Sequence, residues 1–140
     1  MAKNTQVSEA AANAQADALS GMLNGGYLRL YTGAQPANAD AMVGDQVLLA
    51  ELRFAALAAP YAVAGVIKFN AIEAGHAAAS GKAAWFRALG IDGLAVIDGT
   101  VGTVDAGAEN LQLNSNVIGR GAGVTITGFT HTVQTATSGT

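Results

Sequence analysis

The chain has no cysteine, only two prolines and few charged residues, and each shortage narrows what it can be. Without cysteine there is no disulfide framework, no thiol nucleophile and no thiolate ligand for zinc. Stability does not require them, because a chain of 140 residues folded as one domain buries roughly two thirds of the surface it exposes when unfolded. Charged residues make up 12% of the chain, against about 25% in an ordinary soluble domain. Alanine, glycine, threonine and asparagine take their place. A lone domain usually stays soluble through surface charge. Two readings therefore stand: this chain stays soluble without it, or it hides much of its surface against other subunits. The formal net charge is −3 and no basic run occurs, which argues against nucleic acid as a partner. No apolar run reaches the ~20 residues of a membrane span. The opening stretch, MAKNTQVSEAAANAQADALSG, lacks the unbroken apolar core of a signal peptide. A membrane partner is not expected, and synthesis in a reducing cytoplasm is.

What is present is one helix and many short strands. Residues 8–23 read as the helix. Ser8 is placed to cap the first turn, Glu9 meets the positive end of the dipole, and Gly25-Gly26 ends it. Two apolar series run along it at helical spacing. One is Ala11, Ala14, Ala18 and Met22; the other is Ala12, Ala16, Leu19 and Leu23. After Gly26 the period becomes two. Leu28 and Leu30 point one way, and Tyr27, Arg29 and Tyr31 the other, as in a half-buried strand. Residues 33–46 (GAQPANADAMVGDQ) form a long polar connection of the kind that often carries function. Residues 47–54 (VLLAELRF) read as a strand, although helical spacing is also present. A short strand follows at 66–70. Residues 83–89 and 94–98 flank Gly90-Ile91-Asp92-Gly93 and predict a hairpin, with the next turn at Asp98-Gly99 and Gly102. Further strands are expected at 111–113, 117–118 and 124–133, the last entered through the glycine-rich turn at 119–123. The fold class expected is mainly β: an antiparallel β-sandwich of jelly-roll type with one N-terminal α-helix. A single domain is expected over 1–140, with a helical arm at 1–26, the sandwich at 27–133 and a polar tail at 134–140.

The motifs that suggest chemistry each fail at a named position. Ser80-Gly81-Lys82 resembles the end of a phosphate-binding loop, but His76 stands where the motif needs glycine and Ala83 where it needs Ser or Thr. Gly119, Gly121 and Gly123 precede a strand and open no helix, so a pyrophosphate would find no helix N-terminus. The two histidines, His76 and His131, have no spacing that suits zinc. Asp92, Asp98, Asp105 and Glu109 sit near glycines, where carboxylates ordinarily stabilise turns. The expectation is no catalytic, cofactor-binding or metal residues, and no enzyme. Among the aromatics, Trp85 and Phe86 are strand neighbours that face opposite ways. One is expected in the core and the other exposed or in an interface. Tyr27 and Tyr31 pose the same question, unless a helix covers them.

LRLYTGAQPANAD, LLAELRF, AAWFRALGIDG with DGTVG, LQLNSNVI and VTITGFTHTV, running in that order, resemble the capsid decoration (cement) proteins of tailed bacteriophages. The resemblance spans about residues 10–133. It implies a jelly-roll-like sandwich on the outer surface of an HK97-type icosahedral shell, made in the bacterial host cytoplasm. It also implies homodimers, or trimers, that bridge subunits of the major capsid protein and stabilise the head against internal DNA pressure. It carries no catalytic or cofactor residues. Amphipathicity alone nominates the interface: Leu19, Met22, Leu23, Tyr27, Tyr31, Pro36, Met42 and Trp85. Two rivals remain. One is a tail or fibre component, and the other a carbohydrate-binding sandwich that uses Trp85, Tyr27 or Tyr31 as a stacking platform.

Overall fold

Helix α1 (Glu9–Met22) starts where Ser8 stops being helical: its hydroxyl accepts from the Ala11 amide at 3.1 Å. It ends at Leu23, and Gly25 then takes φ +65°, a value that suits glycine. The structure, a computed structural model, describes residues 7–103 and 111–132. Asp105, Glu109, Val133 and the 134–140 tail lie outside the described residues. Of the two apolar series on α1, the second is the buried one. Ala12, Ala16 and Leu23 are fully covered, and the polar Ser20 is buried beside them. Ser20 satisfies its hydroxyl on the Asp17 carbonyl. Small side chains let the helix lie close against Ala59, Ala62 and Ile67.

Eleven strands follow among the described residues. They are β1 (Tyr27–Tyr31), β2 (Leu48–Arg53), β3 (Val66–Lys68), β4 (Gly75–His76), β5 (Gly81–Lys82), β6 (Trp85–Leu89), β7 (Ala95–Thr103), β8 (Leu111–Leu113), β9 (Val117–Ile118), β10 (Gly123–Val124) and β11 (Ile126–Thr132). Seven of them form one curled sheet in the order β2-β1-β6-β7-β8-β11-β3. The pairs β10–β4 and β5–β9 are separate small ladders. Leu28, Leu30, Leu49, Leu52, Phe86, Leu111, Leu113 and Phe129 fill the core between them. The mainly β reading with one helix holds.

Four local expectations change. The sheet is mixed: β7 and β8 run parallel, with Val101 beside Leu111 and Thr103 beside Leu113. A parallel step usually needs a crossover helix. Here seven residues, 104–110, separate the end of β7 from the start of β8. Asp98-Gly99 is not a turn but the middle of β7, paired with Arg87 and Phe86. The last strand is split at Thr125: β10 pairs with β4, while β11 pairs with β8 and β3. The strand expected at 47–54 does not alternate throughout: Leu48 is exposed while Ala50 and Leu52, two and four residues on, are buried, because the β1–β2 register shifts at Leu30/Tyr31. The Gly90–Gly93 hairpin stands as expected, with Gly93 at φ +82° and the Gly90 amide bonded to the Leu94 carbonyl.

Candidate interaction surface

β6 is buried along its whole length. Since a strand alternates its side chains between two faces, both faces must be covered. Phe86 and Ala88 point into the core. Trp85 and Arg87 point the other way and build a fixed cross-strand row with their neighbours. Register places Glu51, Arg29, Arg87 and Asp98 side by side across β2, β1, β6 and β7. The two arginines are therefore adjacent like charges, and each is drawn to the carboxylate on its outer side. Arg29 Nε donates to Glu51 at 2.7 Å, half-exposed. Arg87 donates twice to Asp98, at 2.8 and 2.9 Å, with side-chain exposures of 7% and 3%. Hydrogen bonding to Asp98 raises the Arg87 pKa above its ordinary value, against the opposing effect of burial.

Trp85 stacks on Tyr31 with centroids 4.6 Å apart, sits under the Arg87 guanidinium at 5.5 Å and donates its indole N–H to the Thr32 carbonyl at 3.1 Å. It is 1% exposed and Tyr31 is 5%. The expectation that Trp85 stands exposed or in an interface is therefore corrected. Trp85, Tyr31 and Leu23 are all buried within the chain itself and have no surface to offer a partner. Tyr27 is half-buried beneath Arg53, whose guanidinium lies 5.0 Å from its ring. Leu19 is half-buried against the Ala16–Ile67 cluster.

Residues 33–46 form a loop beside this face. The Thr32–Val47 pair closes its base through Thr32 N to Val47 O and Val47 N to Thr32 Oγ1. Gln46 clamps it by donating to the Ala34 carbonyl. The hydrogen bonds found within it are local ones, such as Asp40 N to Asn38 Oδ1. The loop arches toward the 90–94 turn and the end of α1, and the three enclose a groove of about 540 Å³ with Arg87 in its lining. Its apolar wall is Met42, Met22, Leu94 and Ile91, exposed by 90%, 60%, 68% and 67%. Asp40 and Asp92 add the acidic rim.

Of the nominated residues the structure thus brings Met22 and Met42 together. Pro36 lies half-buried elsewhere in the loop. Ile91 and Leu94 were missed although a signal existed: an apolar side chain at the tip of a two-stranded turn has nowhere to go but solvent. Tyr61 and Val63, exposed by 88% and 72%, lie between the strands expected at 47–54 and 66–70, where no element is expected.

The failed motifs take structural places. Gly81-Lys82 pairs with β9, and Ser80 Oγ accepts from the Arg120 amide. The 119–123 stretch is a turn with Gly121 at φ +83°. Asp92 caps its own turn by accepting from Leu94 N. Among the described residues no three His, Cys, Asp or Glu side chains are grouped to hold a metal ion, and no helix is long and apolar enough to cross a membrane. Compared with family models, curated proteins and solved structures, the chain matches none.

Proposed function

We propose that this chain is a structural virion protein. In this reading it binds the outside of a phage head and cements neighbouring subunits of a major capsid protein of HK97-type fold, as a homodimer or trimer. The observation that carries the reading is the groove. Four large apolar side chains from three separate elements, Met22, Met42, Ile91 and Leu94, converge on one concavity while remaining more than half exposed. Contiguous apolar surface of this kind marks an interaction site. The sequence resemblance supplies the destination, and the sparse charge fits a surface that is covered in the assembly.

The mechanism is mechanical. Burial of the groove against the shell adds contact area between capsid subunits, and a lattice of many copies multiplies modest contacts through avidity. The stacked and ion-paired row behind the groove keeps its floor rigid, so little ordering is lost on docking. The jelly-roll sandwich belongs to the same reading, with the two small ladders forming part of the sheet that faces the curled one. No residue in it acts as a catalyst or holds a cofactor.

The test is to mix purified protein with undecorated heads and image them. Added density at regular positions on the capsid surface is expected. Density on tails instead would transfer the protein to the tail or fibre class, and no density on any particle would end the reading.

A further inference from the structure

A second cleft, on the other side of the last turn of α1, has a different chemistry. Asp17 and Asn24 face Leu57, Pro60 and Tyr61 across about 420 Å³, within the about 300–1,000 Å³ usual for small-ligand sites. Each polar side chain is held by one of its two terminal atoms. Asp17 Oδ1 accepts from the Ala62 amide at 2.7 Å, and Asn24 Oδ1 accepts from the Ala58 amide at 2.8 Å. The other atoms, Asp17 Oδ2 and Asn24 Nδ2, have no hydrogen-bond partner among the described residues. The cleft thus offers one acceptor and one donor, both fixed in place before any ligand arrives. Beside them the Tyr61 ring is 88% exposed and, among the described residues, takes part in no aromatic stack.

An open aromatic face next to a positioned acceptor and donor suits a sugar ring. The C–H face of a pyranose lies on the aromatic, and hydroxyls of the saccharide, each both donor and acceptor, pair with the carboxylate and the amide. Among the described residues the lining has one carboxylate and no cation, so an acidic sugar would be repelled. We propose that this cleft binds a neutral pyranose unit of a saccharide. The platform differs from the Trp85 and Tyr31 considered from sequence, which are buried.

Saturation-transfer NMR on the full chain tests this, with maltose, cellobiose and lactose as neutral probes and digalacturonic acid as the acidic one. Three variants separate binding from folding. Tyr61→Ala removes only an exposed ring. Asp17→Asn keeps an oxygen for the Ala62 amide but replaces the free acceptor with a donor. Asn24→Asp keeps the bond to Ala58 and replaces the free donor with an acceptor. The expected result is transfer to at least one neutral disaccharide, lost in Tyr61→Ala and at least about tenfold weaker in the other two, at unchanged melting temperature. Digalacturonic acid is expected to give weaker transfer. The proposal is overturned by silence from all three neutral sugars, by transfer that Tyr61→Ala leaves intact, or by equal transfer to the acidic probe. The measurement involves no capsids, so its failure leaves the capsid reading untouched.

Discussion

Removing Asp98 should unfold this protein at a much lower temperature than removing Glu51, although both are carboxylates paired to an arginine in the same cross-strand row. Asp98→Ala strands Arg87, whose side chain is 7% exposed, without its two charge-assisted bonds. It also leaves Arg87 facing Arg29 across β1–β6 with its own neutralising carboxylate gone. Breaking one partner of a buried pair costs about 3–5 kcal/mol. For a domain of this size that is a fall of roughly 12–20 °C in Tm. Glu51→Ala breaks a pair whose side chains are 34% and 41% exposed, and such pairs contribute about 0–1 kcal/mol. The double variant Arg87→Met/Asp98→Leu removes both buried charges and should recover most of the loss. Calorimetric melting of the four proteins checks this. Equal small shifts for Asp98→Ala and Glu51→Ala would refute the reasoning, since they would mean that water screens the Arg87–Asp98 pair. Failure of the double variant to recover would refute the claim that the stranded charge is the cause.

Gly99→Ala should cost about 1–3 kcal/mol by urea unfolding. Its new methyl would stand 2.6 Å from the Phe86 ring, which Phe129 holds edge-on at 5.1 Å; a neutral outcome would mean that the ring can shift. Ser8→Ala should lose about 0.5–2 kcal/mol by the same assay, because the Ala11 amide loses its acceptor. His131 on β11 has its pKa lowered from 6.5 by burial. The unfolded chain therefore takes up the proton first as pH falls. Stability should be full above the unfolded value and decline as pH drops through the lower folded one. His131→Gln should flatten that slope between about pH 7 and pH 5, and a wild-type stability that holds constant or rises over that range would contradict the assignment.

How far the sequence could be read depended on whether neighbouring residues or distant ones decide a feature. The Ser8 cap, the Gly25 stop and the 90–93 hairpin are settled by residues within a few positions of each other, and all were legible. Asp98-Gly99 misled because the pair is common in turns. In the fold its carboxylate serves Arg87 on the neighbouring strand, and its missing side chain makes room for Phe86. Only the strand register reveals that. Trp85 was misjudged for a related reason: alternation says that its face is opposite the core, but not that Tyr31, Thr32 and Arg87 close over it. Half of the groove's apolar wall was legible, as Met22 and Met42. Ile91 and Leu94 join it only because the hairpin tip comes to rest beside the 39–42 segment of the loop. Ala12, Ala16 and Leu23 are buried in the core. Deleting residues 1–23 would strip the core as well as a candidate contact, so point changes at the groove are the cleaner probe.

The central claim is that the Met22, Met42, Ile91 and Leu94 groove attaches this protein to a phage head. Its most direct test is co-sedimentation of undecorated heads with the wild type and with Met42→Asp/Leu94→Asp. Both substitutions lie at side chains at least two-thirds exposed, so the fold and its Tm should survive them. The wild type should saturate the heads at a fixed number of copies, and the variant should stay in the supernatant. Equal occupancy by the variant, or no occupancy by the wild type, would contradict the claim.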